Sequence, residues 1–367
     1  MDKIQYPAPK QEYKVLVRCA TFNQSKYIEQ ALDGFAMQQT SFPFVCLVMD
    51  DASTDGEQEV INKWMERECD MHKAETIDIP TSIVIIVPHK TNVSCTFAFY
   101  LLKQNLYGTG KKIYYLNPWR EKCEYEALCE GDDYWTDPYK LQKQVDFLEN
   151  HPEYVLSHTA FHYHIEYENN QLKDSHKSTS RNLEIIKNDE SNIICHILNN
   201  NDYRIQTATV LFKKKIYELV QEDKIKDNEP RFLMGDTPLW VRLCQYGKIH
   251  FIEDSTANYR LHMGSACRNT DKIKKLRFTL SCSEMQVYYV ELFNIDNTYT
   301  KEVKKNFKRK LFIYKLFDNS YTTVVNYRIK TTSDYIFFYI FINKLFLILT
   351  KPFYILYSKL KSIASKT

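Results

Sequence analysis

Short, nearly continuous apolar runs alternate with amphipathic segments in the first half of the chain, and this alternation restricts the possible folds most strongly. The run FVCLVMDDAS (44–53) begins as a stretch without polar alternation, which is typical of a strand buried on both faces of a sheet. YKVLVRCATFN (13–23) and TSIVIIVPHK (81–90) indicate strands in the same way. Residues 25–39 place apolar side chains at helical spacing, with Ser25 as the predicted N-cap. We therefore predict an α/β fold whose mostly parallel central sheet is flanked by helices.

The second half continues this alternation less regularly. The pattern predicts a helix in 137–154, a strand in 154–167, an excursion of loop and short helix in 168–201, and a strand followed by a helix in 207–220. The 10 cysteines show no C-x-x-C pair and the polar N-terminus shows no apolar signal segment. Both features indicate reduced thiols and a cytoplasmic protein.

Charge is distributed unevenly between the two ends of the chain. The segment 301–367 carries 14 Lys or Arg against 3 Asp or Glu, a net charge of +11. Because the whole chain carries +3, the first 300 residues carry −8. The acidic part contains the candidate catalytic residues, whereas the basic part is a tail that could meet nucleic acid, anionic lipid or solvent.

Carboxylates cluster where two predicted strands end. Asp50 and Asp51 end the second strand, and CEGDDYW places Glu130, Asp132 and Asp133 after a later one. Parallel α/β sheets bind ligands at the carboxyl ends of their strands, so both clusters are expected at one crevice. Adjacent carboxylates repel unless a cation compensates them. Carboxylates with open positions suit Mg²⁺ or Mn²⁺, which complete their shells with water and phosphate oxygens, so the pattern favours a metal and a phosphorylated ligand, often a nucleotide.

A purely structural role for these acids is the alternative. Asp132 and Asp133 could cap the helix that follows, but Asp137 before Pro138 already fits the N-cap position. The capping role therefore leaves the other acids unexplained.

Five segments, in order, resemble the motifs of family 2 glycosyltransferases, which are inverting enzymes with the GT-A fold that use nucleotide sugars. The segments are VLVRCATFNQSKYIEQAL, VMDDASTD, CEGDDYWTDPYKLQKQV, MGDTPLWVRLCQYGKI and NYRLHMGS. The resemblance covers residues 13–268. It implies a GT-A domain in 1–270, with a nucleotide-sugar half in 13–135 and an acceptor half in 136–270. A helical extension follows in 271–367.

The resemblance implies roles for residues in the nucleotide half. Ala20, Phe22 and Asp51 match the positions that contact the nucleotide base in the family. Asp132 and Asp133 match the element that holds the ribose and the metal–diphosphate, with Asp133 favoured as the metal ligand. Glu130 stands where many members have Asp, and its longer side chain could reach the ion, the ribose or the sugar.

Further roles follow in the acceptor half. Asp236 matches the general base, although Gly235 replaces the usual Glu before it; its alternative role is to cap the helix TPLWVRLCQYG. Arg260 is expected to clamp phosphate, and His262 to bind the metal or the diphosphate. The alternative for both is an ordinary surface or core role.

Weaker candidates complete the predicted site. Tyr134 and Trp135 are predicted to contact a sugar, as is His158, with core packing as the alternative for each. Segment 95–127 is longer than in many family members and has no assigned role.

The apolar segment 335–366 is interrupted by Lys344 and Lys351 and by Pro352. This pattern favours a helix lying at the surface of an anionic membrane rather than spanning it, and packing over the catalytic domain is the alternative. We expect a protein at the inner face of a bacterial cell membrane that does not bind nucleic acid.

The sequence thus predicts a metal-dependent, inverting glycosyltransferase of polysaccharide assembly. The expected donor is a nucleotide sugar, with UDP the carrier that the family uses most often, and the expected acceptor is a glycan or lipid-linked saccharide. The alternatives are a non-catalytic glycan- or nucleotide-binding relative and a sugar-phosphate nucleotidyltransferase, which the absence of a Gly-rich loop in CATFNQSKY disfavours.

Overall fold

The computed structural model describes residues 6–166, 171–199, 202–262 and 271–315, together with Thr323. The chain divides into two units, Met1–Asn319 and Ser320–Thr367, and the strands and helices of the described residues belong to the first. The predicted membrane-surface segment 335–366 lies outside the described residues. Of the helices in the described part of the chain, none is both long enough and apolar enough to cross a bilayer.

A mixed sheet forms the centre of the first unit. Its strands are β1 (Tyr13–Thr21), β2 (Phe44–Asp50), β3 (Glu75–Ile79), β4 (Ser82–Pro88), β5 (Cys95–Leu102), β6 (Cys123–Leu128), β7 (Tyr134–Trp135), β8 (Tyr154–Ile165), β9 (Gln171–Asp174), β10 (Leu211–Lys213) and β11 (Lys248–Leu261). The helices are α1 (Ile28–Ala36), α2 (Glu57–Glu68), α3 (Ile113–Arg120), α4 (Lys140–Asn150), α5 (His176–Asp189), α6 (Ile193–Leu198), α7 (Lys214–Lys226), α8 (Asp236–Leu243), α9 (Lys272–Leu292) and α10 (Thr298–Lys315).

The order of strands in the sheet is β3-β4-β5-β2-β1-β6-β10-β8-β11-β7, with β9 paired to β8. Strands β5, β2, β1 and β6 run parallel to one another and form the middle of the sheet. Antiparallel strands extend it on both sides. The predicted α/β fold with a central sheet and flanking helices is confirmed.

Two local predictions were wrong. The strand predicted at 81–90 is β4, but it runs antiparallel to β5, and β5 is the parallel neighbour of β2. The connection from β4 to β5 is too short for a crossover, so only antiparallel pairing is possible. Ser25 does not cap α1, because the helix begins only at Ile28, with Tyr27 at the N-cap position; the Ser25 N–H donates to Asp55 Oδ2 at 3.0 Å across the neighbouring loop.

Helices cover both faces of the parallel strands. On one face, α1 contributes Ile28, Leu32 and Phe35 to a fully buried cluster. On the other, α3 contributes Tyr115 and Trp119. All seven residues of β2 are buried between these layers, as its continuous apolar sequence predicts. At about 1.5–3 kcal/mol for each large apolar side chain, this burial fixes the strands whose ends carry the acidic residues.

Helix α1 also positions the chain that follows the acidic cluster. A Cβ on Gly34 would lie 2.9 Å from the backbone nitrogen of Trp135, so only glycine permits this approach. The indole of Trp135 is buried, and its Nε1 donates to Ala208 O at 2.7 Å. Contacts from α1 and from Ala208 therefore fix β7, which directly follows the acids.

Candidate active site

The carboxyl ends of β5, β2, β1 and β6 meet at one edge of the sheet, because these strands are parallel. Both acidic clusters predicted from the sequence follow strands that end here. Gly131 lies directly beneath the loop after β1, and its N–H donates to Ala20 O at 3.3 Å. A Cβ on Gly131 would lie 2.8 Å from Thr21 Cβ, at the end of β1, so glycine permits this close approach of the acids.

Asp132 and Asp133 face different surroundings. Asp133 is buried, and its Oδ1 accepts a hydrogen bond from the Arg260 backbone N–H at 2.8 Å. Asp132 is partly exposed, and its Oδ2 lies 3.1 Å from His262 Nε2. The geometry thus gives Asp133 a structural contact to β11, whereas Asp132, paired with the buried His262, remains partly exposed.

The acidic cluster is only partly compensated by positive charge. Glu130 is exposed at the surface of the crevice. Desolvation by the surrounding protein, followed by the charges of Asp132 and Asp236, together raise its pKa to about 7 against the opposing effect of Arg18. Burial, followed by the charge of Asp132, also raises the pKa of Asp133 well above its usual range. The crevice therefore favours any cation that can stabilise these carboxylates.

Asp132 and His262 suit a divalent ion such as Mg²⁺ or Mn²⁺. Asp132 Oδ2 and His262 Nε2 form a hydrogen bond of 3.1 Å, which brings a carboxylate oxygen and an imidazole nitrogen close enough together for both to bind one ion in place of this bond. Among the described residues, no group of three or more His, Cys, Asp or Glu side chains converges on one point. Asp132 and His262 could supply two ligands, and water or phosphate would have to supply the others.

Asp236 opens α8 and is half-buried. The N-cap is Gly235, so Asp236 is the first helical residue and not the cap that the sequence offered as an alternative. Its Oδ1 accepts a hydrogen bond from the Thr237 N–H at 2.8 Å, while its Oδ2 makes a long contact of 3.5 Å to Thr207 Oγ1. One carboxylate oxygen thus retains the capacity to accept a proton.

The side chain of Arg260 is held within the protein. Its guanidinium carbon lies 4.6 Å from the centre of the Tyr27 ring and 5.1 Å from that of Tyr134. Its Nε donates to Asp132 O at 2.9 Å, and Nη1 lies 3.1 Å from His164 Nδ1. These contacts favour a positioning role beneath the acids, and the phosphate clamp expected from the sequence stays a prediction.

Asp51 is also buried and already paired. Its Oδ1 accepts a hydrogen bond from the Leu106 N–H at 2.6 Å, and its Oδ2 lies 2.8 Å from Lys112 Nζ. Phe22, on the neighbouring loop, exposes 45% of its surface. The predicted contacts of both residues to a nucleotide base are not tested by these distances and stay predictions.

The weaker candidates divide between core and surface. His158 is buried, donates to or accepts from Tyr203 OH at 2.8 Å, and desolvation lowers its pKa to about 3. Trp135 is likewise buried, so neither side chain offers a face to a sugar. Tyr134 instead lines a surface pocket of about 440 Å³ together with Tyr27 and Glu166.

Sequence reasoning missed the buried carboxylate of Glu57, the first residue of α2. It accepts hydrogen bonds from the Gln24 N–H and from Ser53 Oγ, both at 2.8 Å, and bonds Thr21 Oγ1. Glu57 therefore joins the loops after β1 and β2, which form this part of the crevice. An acidic residue in the first turn of a helix is ordinarily exposed, so the sequence carried no signal of this role.

Comparison with known proteins identifies relatives without an assigned function. No family model matches the chain. Uncharacterized protein Rv1520 of Mycobacterium tuberculosis and uncharacterized protein Mb1547 of Mycobacterium bovis are each 30% identical to it over 246 residues. The match covers 66% of this chain and 57% of each relative, so the chain spans little more than half the length of the curated relatives it matches.

Solved structures of glycosyltransferases resemble the chain only distantly. S. aureus TarS 1-349 in complex with UDP has a TM-score of 0.41 and 15% identity, covering 86% of this chain and 76% of that one. Mannosyltransferase PcManGT from Pyrobaculum calidifontis, in complex with GDP-Man and Mn²⁺, has a TM-score of 0.44 and 12% identity, covering 94% and 83%. At TM-scores below 0.5, these similarities carry no argument about the activity of this chain.

Proposed function

We propose that the protein is an inverting, divalent-metal-dependent glycosyltransferase of family 2 with the GT-A fold. It transfers a sugar from a nucleotide sugar, with UDP the expected carrier, to a hydroxyl group of a glycan or lipid-linked acceptor. The observation that carries the proposal is the convergence of Glu130, Asp132 and Asp236 at one edge of the sheet. These acids are close enough that Asp132 and Asp236 both raise the pKa of Glu130.

In this mechanism Asp236 is the general base. Its Oδ2 takes the proton of the acceptor hydroxyl as that oxygen attacks the anomeric carbon, while the bond from this carbon to the diphosphate oxygen breaks. Attack and departure occur on opposite faces of the sugar, so the anomeric configuration inverts. The hydrogen bond from Thr237 fixes the carboxylate at the start of α8.

Asp132 and His262 would hold the metal ion. When bound, such an ion neutralises charge on the departing diphosphate. Asp133 and Arg260 orient Asp132 through the contacts that join this segment to β11. Gly131 keeps the acids against the loop after β1.

The basic and apolar composition of the C-terminal segment supports a further part of the proposal. Segment 301–367 carries a net charge of +11 beside long apolar runs, a combination that favours contact with an anionic membrane surface. We place the enzyme at the inner face of the cell membrane, where a lipid-linked acceptor would be accessible.

Nucleotide binding and turnover test the proposal separately. We expect UDP or GDP with Mn²⁺ to raise the melting temperature of the wild type, because a ligand that binds only the folded state stabilises it. Asp132→Asn should remove the part of this shift that depends on Mn²⁺. Asp236→Asn should keep the Mn²⁺-dependent shift in melting temperature but lose hydrolysis of the matching nucleotide sugar. Asp146→Asn, on the exposed face of α4, is the matched control for both variants and should change neither property.

The configuration of the released sugar tests the stereochemistry. Proton NMR in the first minutes of hydrolysis should detect the anomer opposite to that of the donor. Retention of configuration, or hydrolysis by Asp236→Asn at the wild-type rate, would contradict the mechanism. Binding of nucleotide without any turnover by the wild type would instead support a non-catalytic binding protein.

A further inference from the structure

The loop between β5 and α3, residues 103–112, has no role in the mechanism above, yet it follows a strand that ends at the active-site edge. Gly108 and Gly110 adopt φ angles of +79° and +74°, which glycine accommodates without strain. Leu106 is buried and anchors the loop to the apolar layer that contains α3. The loop thus has a defined backbone conformation and is anchored by one buried side chain, that of Leu106.

Asp51 holds the loop by three contacts. Its carboxylate accepts from the Leu106 N–H at 2.6 Å and pairs with Lys112 Nζ at 2.8 Å, and its backbone oxygen accepts from Asn105 Nδ2 at 3.0 Å. The resemblance assigns Asp51 to the nucleotide base, but in this chain both of its carboxylate oxygens bind the loop. These three contacts therefore hold the loop directly beside Asp51 at the crevice.

The far side of the loop reaches the segment that leads to Asp236. Arg231 Nη1 donates to Gly108 O at 2.6 Å, and Arg231 precedes α8 by only a few residues. The next residue but one, Leu233, is held in turn by Ser281 of α9, whose Oγ accepts its N–H at 3.0 Å. The loop therefore spans the edge of the crevice from Asp51 to the segment of the proposed general base.

An exposed aromatic ring stands on each side of Asp51. Phe22 follows β1 and Tyr107 follows β5, and the two strands flank β2, which ends just before Asp51. Strands separated by one neighbour are about 10 Å apart, so the loops that carry the two rings both leave the sheet within reach of Asp51. Tyr107 exposes 85% of its surface and Phe22 exposes 45%, so both rings are accessible to a planar ligand that could stack on them.

We propose that loop 103–112 forms one wall of the nucleobase site and that Tyr107 stacks on the base of the bound nucleoside diphosphate, opposite Phe22. This inference rests on the proposed function, because it assigns the base-binding wall of the same site. Tyr107 determines affinity for the base and makes no contact with the diphosphate. Asp51 and Lys112 are positioning residues that hold the wall.

Comparison of a nucleoside diphosphate with inorganic pyrophosphate tests the assignment. With Mn²⁺ present, Tyr107→Ala should weaken binding of the better of UDP and GDP by roughly 5- to 150-fold, the loss caused by removing one base–aromatic stack. Its inhibition constant for pyrophosphate, measured by competition, should equal that of the wild type. Tyr107→Phe, which keeps the ring, should restore nucleotide binding.

Tyr139→Ala is the matched control. Tyr139 exposes 49% of its surface but lies at the opposite edge of the sheet. This position follows from its neighbour Pro138, whose carbonyl accepts a hydrogen bond from the N–H of Gln39, just beyond the C-terminal end of α1. Its nucleotide affinity should remain that of the wild type. Wild-type affinity of Tyr107→Ala for the nucleotide, or an equal loss of pyrophosphate binding, would overturn the inference. Failure of the wild type to bind either nucleotide would overturn the proposed function itself.

Discussion

Lys140, the first residue of α4, is a buried cation whose removal should stabilise the protein in a manner that depends on pH. Its side chain is fully buried, its Nζ donates to Gln144 Oε1 at 2.8 Å, and the nitrogen lies 4.4 Å from the centre of the Trp135 ring. Burial lowers the pKa of Lys140 to about 7 from 10.5. We expect Lys140→Met, which keeps the length of the side chain without the charge, to raise the free energy of unfolding near neutral pH.

The pKa difference sets the magnitude. The decrease in pKa from 10.5 to about 7 means that, at low pH, burying the charged ammonium group of Lys140 destabilises the folded state by about 5 kcal/mol. The variant loses the hydrogen bond to Gln144, and an unpaired buried amide oxygen costs about 1–3 kcal/mol. Lys140→Met should therefore be more stable than the wild type by about 2–4 kcal/mol at pH 6.

The sign of the pH dependence follows from proton binding. Between pH 7 and 10.5 the unfolded chain keeps a proton on Lys140 that the folded protein has released, so wild-type stability rises with pH in this window. The advantage of the variant should shrink by about 1.4 kcal/mol per pH unit above pH 7. Below pH 7, both states are protonated and the advantage should be constant.

Urea denaturation at pH 6, 7, 8 and 9 measures this difference. Lys103→Met, which removes a surface cation paired with Asp78, corrects for the loss of one positive charge from the molecule. A stability difference between Lys140→Met and the wild type that stays constant from pH 6 to 9 would refute the reasoning. A variant less stable than the wild type at pH 6 would show that the hydrogen bond outweighs the burial of charge.

Two further substitutions test the packing around the site. Gly131→Ala should push Thr21 and the loop that follows it away from the acids. We expect it to lower the free energy of unfolding by about 1–3 kcal/mol and to abolish the Mn²⁺-dependent thermal shift with nucleotide. An unchanged thermal shift would mean that this close approach is not needed for binding. Glu126→Gln should cost about 3–5 kcal/mol in urea denaturation, because the Arg120 guanidinium, 2.7 Å from Glu126, would remain buried without its counter-charge. Glu124→Gln, on an exposed side chain of the same strand, should cost less than about 1 kcal/mol, and equal losses for both variants would contradict the effect of burial.

Much of the fold followed from apolar periodicity alone. The run that became β2 is continuous because both of its faces are covered, and the pattern over 25–39 contains α1 because one face of that helix packs on the sheet. Periodicity does not report the direction of a strand, since side chains alternate equally in parallel and antiparallel pairs. The antiparallel β4 was therefore mistaken for a member of the parallel set.

The sequence by itself determined which residue types gather at the active-site edge, because the ends of parallel strands must meet and the acids follow those ends. Only the tertiary structure decided which carboxylates are available there. Asp51 and Asp133 are buried and bonded to Leu106 and to Arg260, partners 55 and 127 positions away, whereas Asp132 remains partly exposed. The physical reason is that the solvation and charge of a carboxylate depend on neighbours brought by distant parts of the chain, which local sequence does not specify.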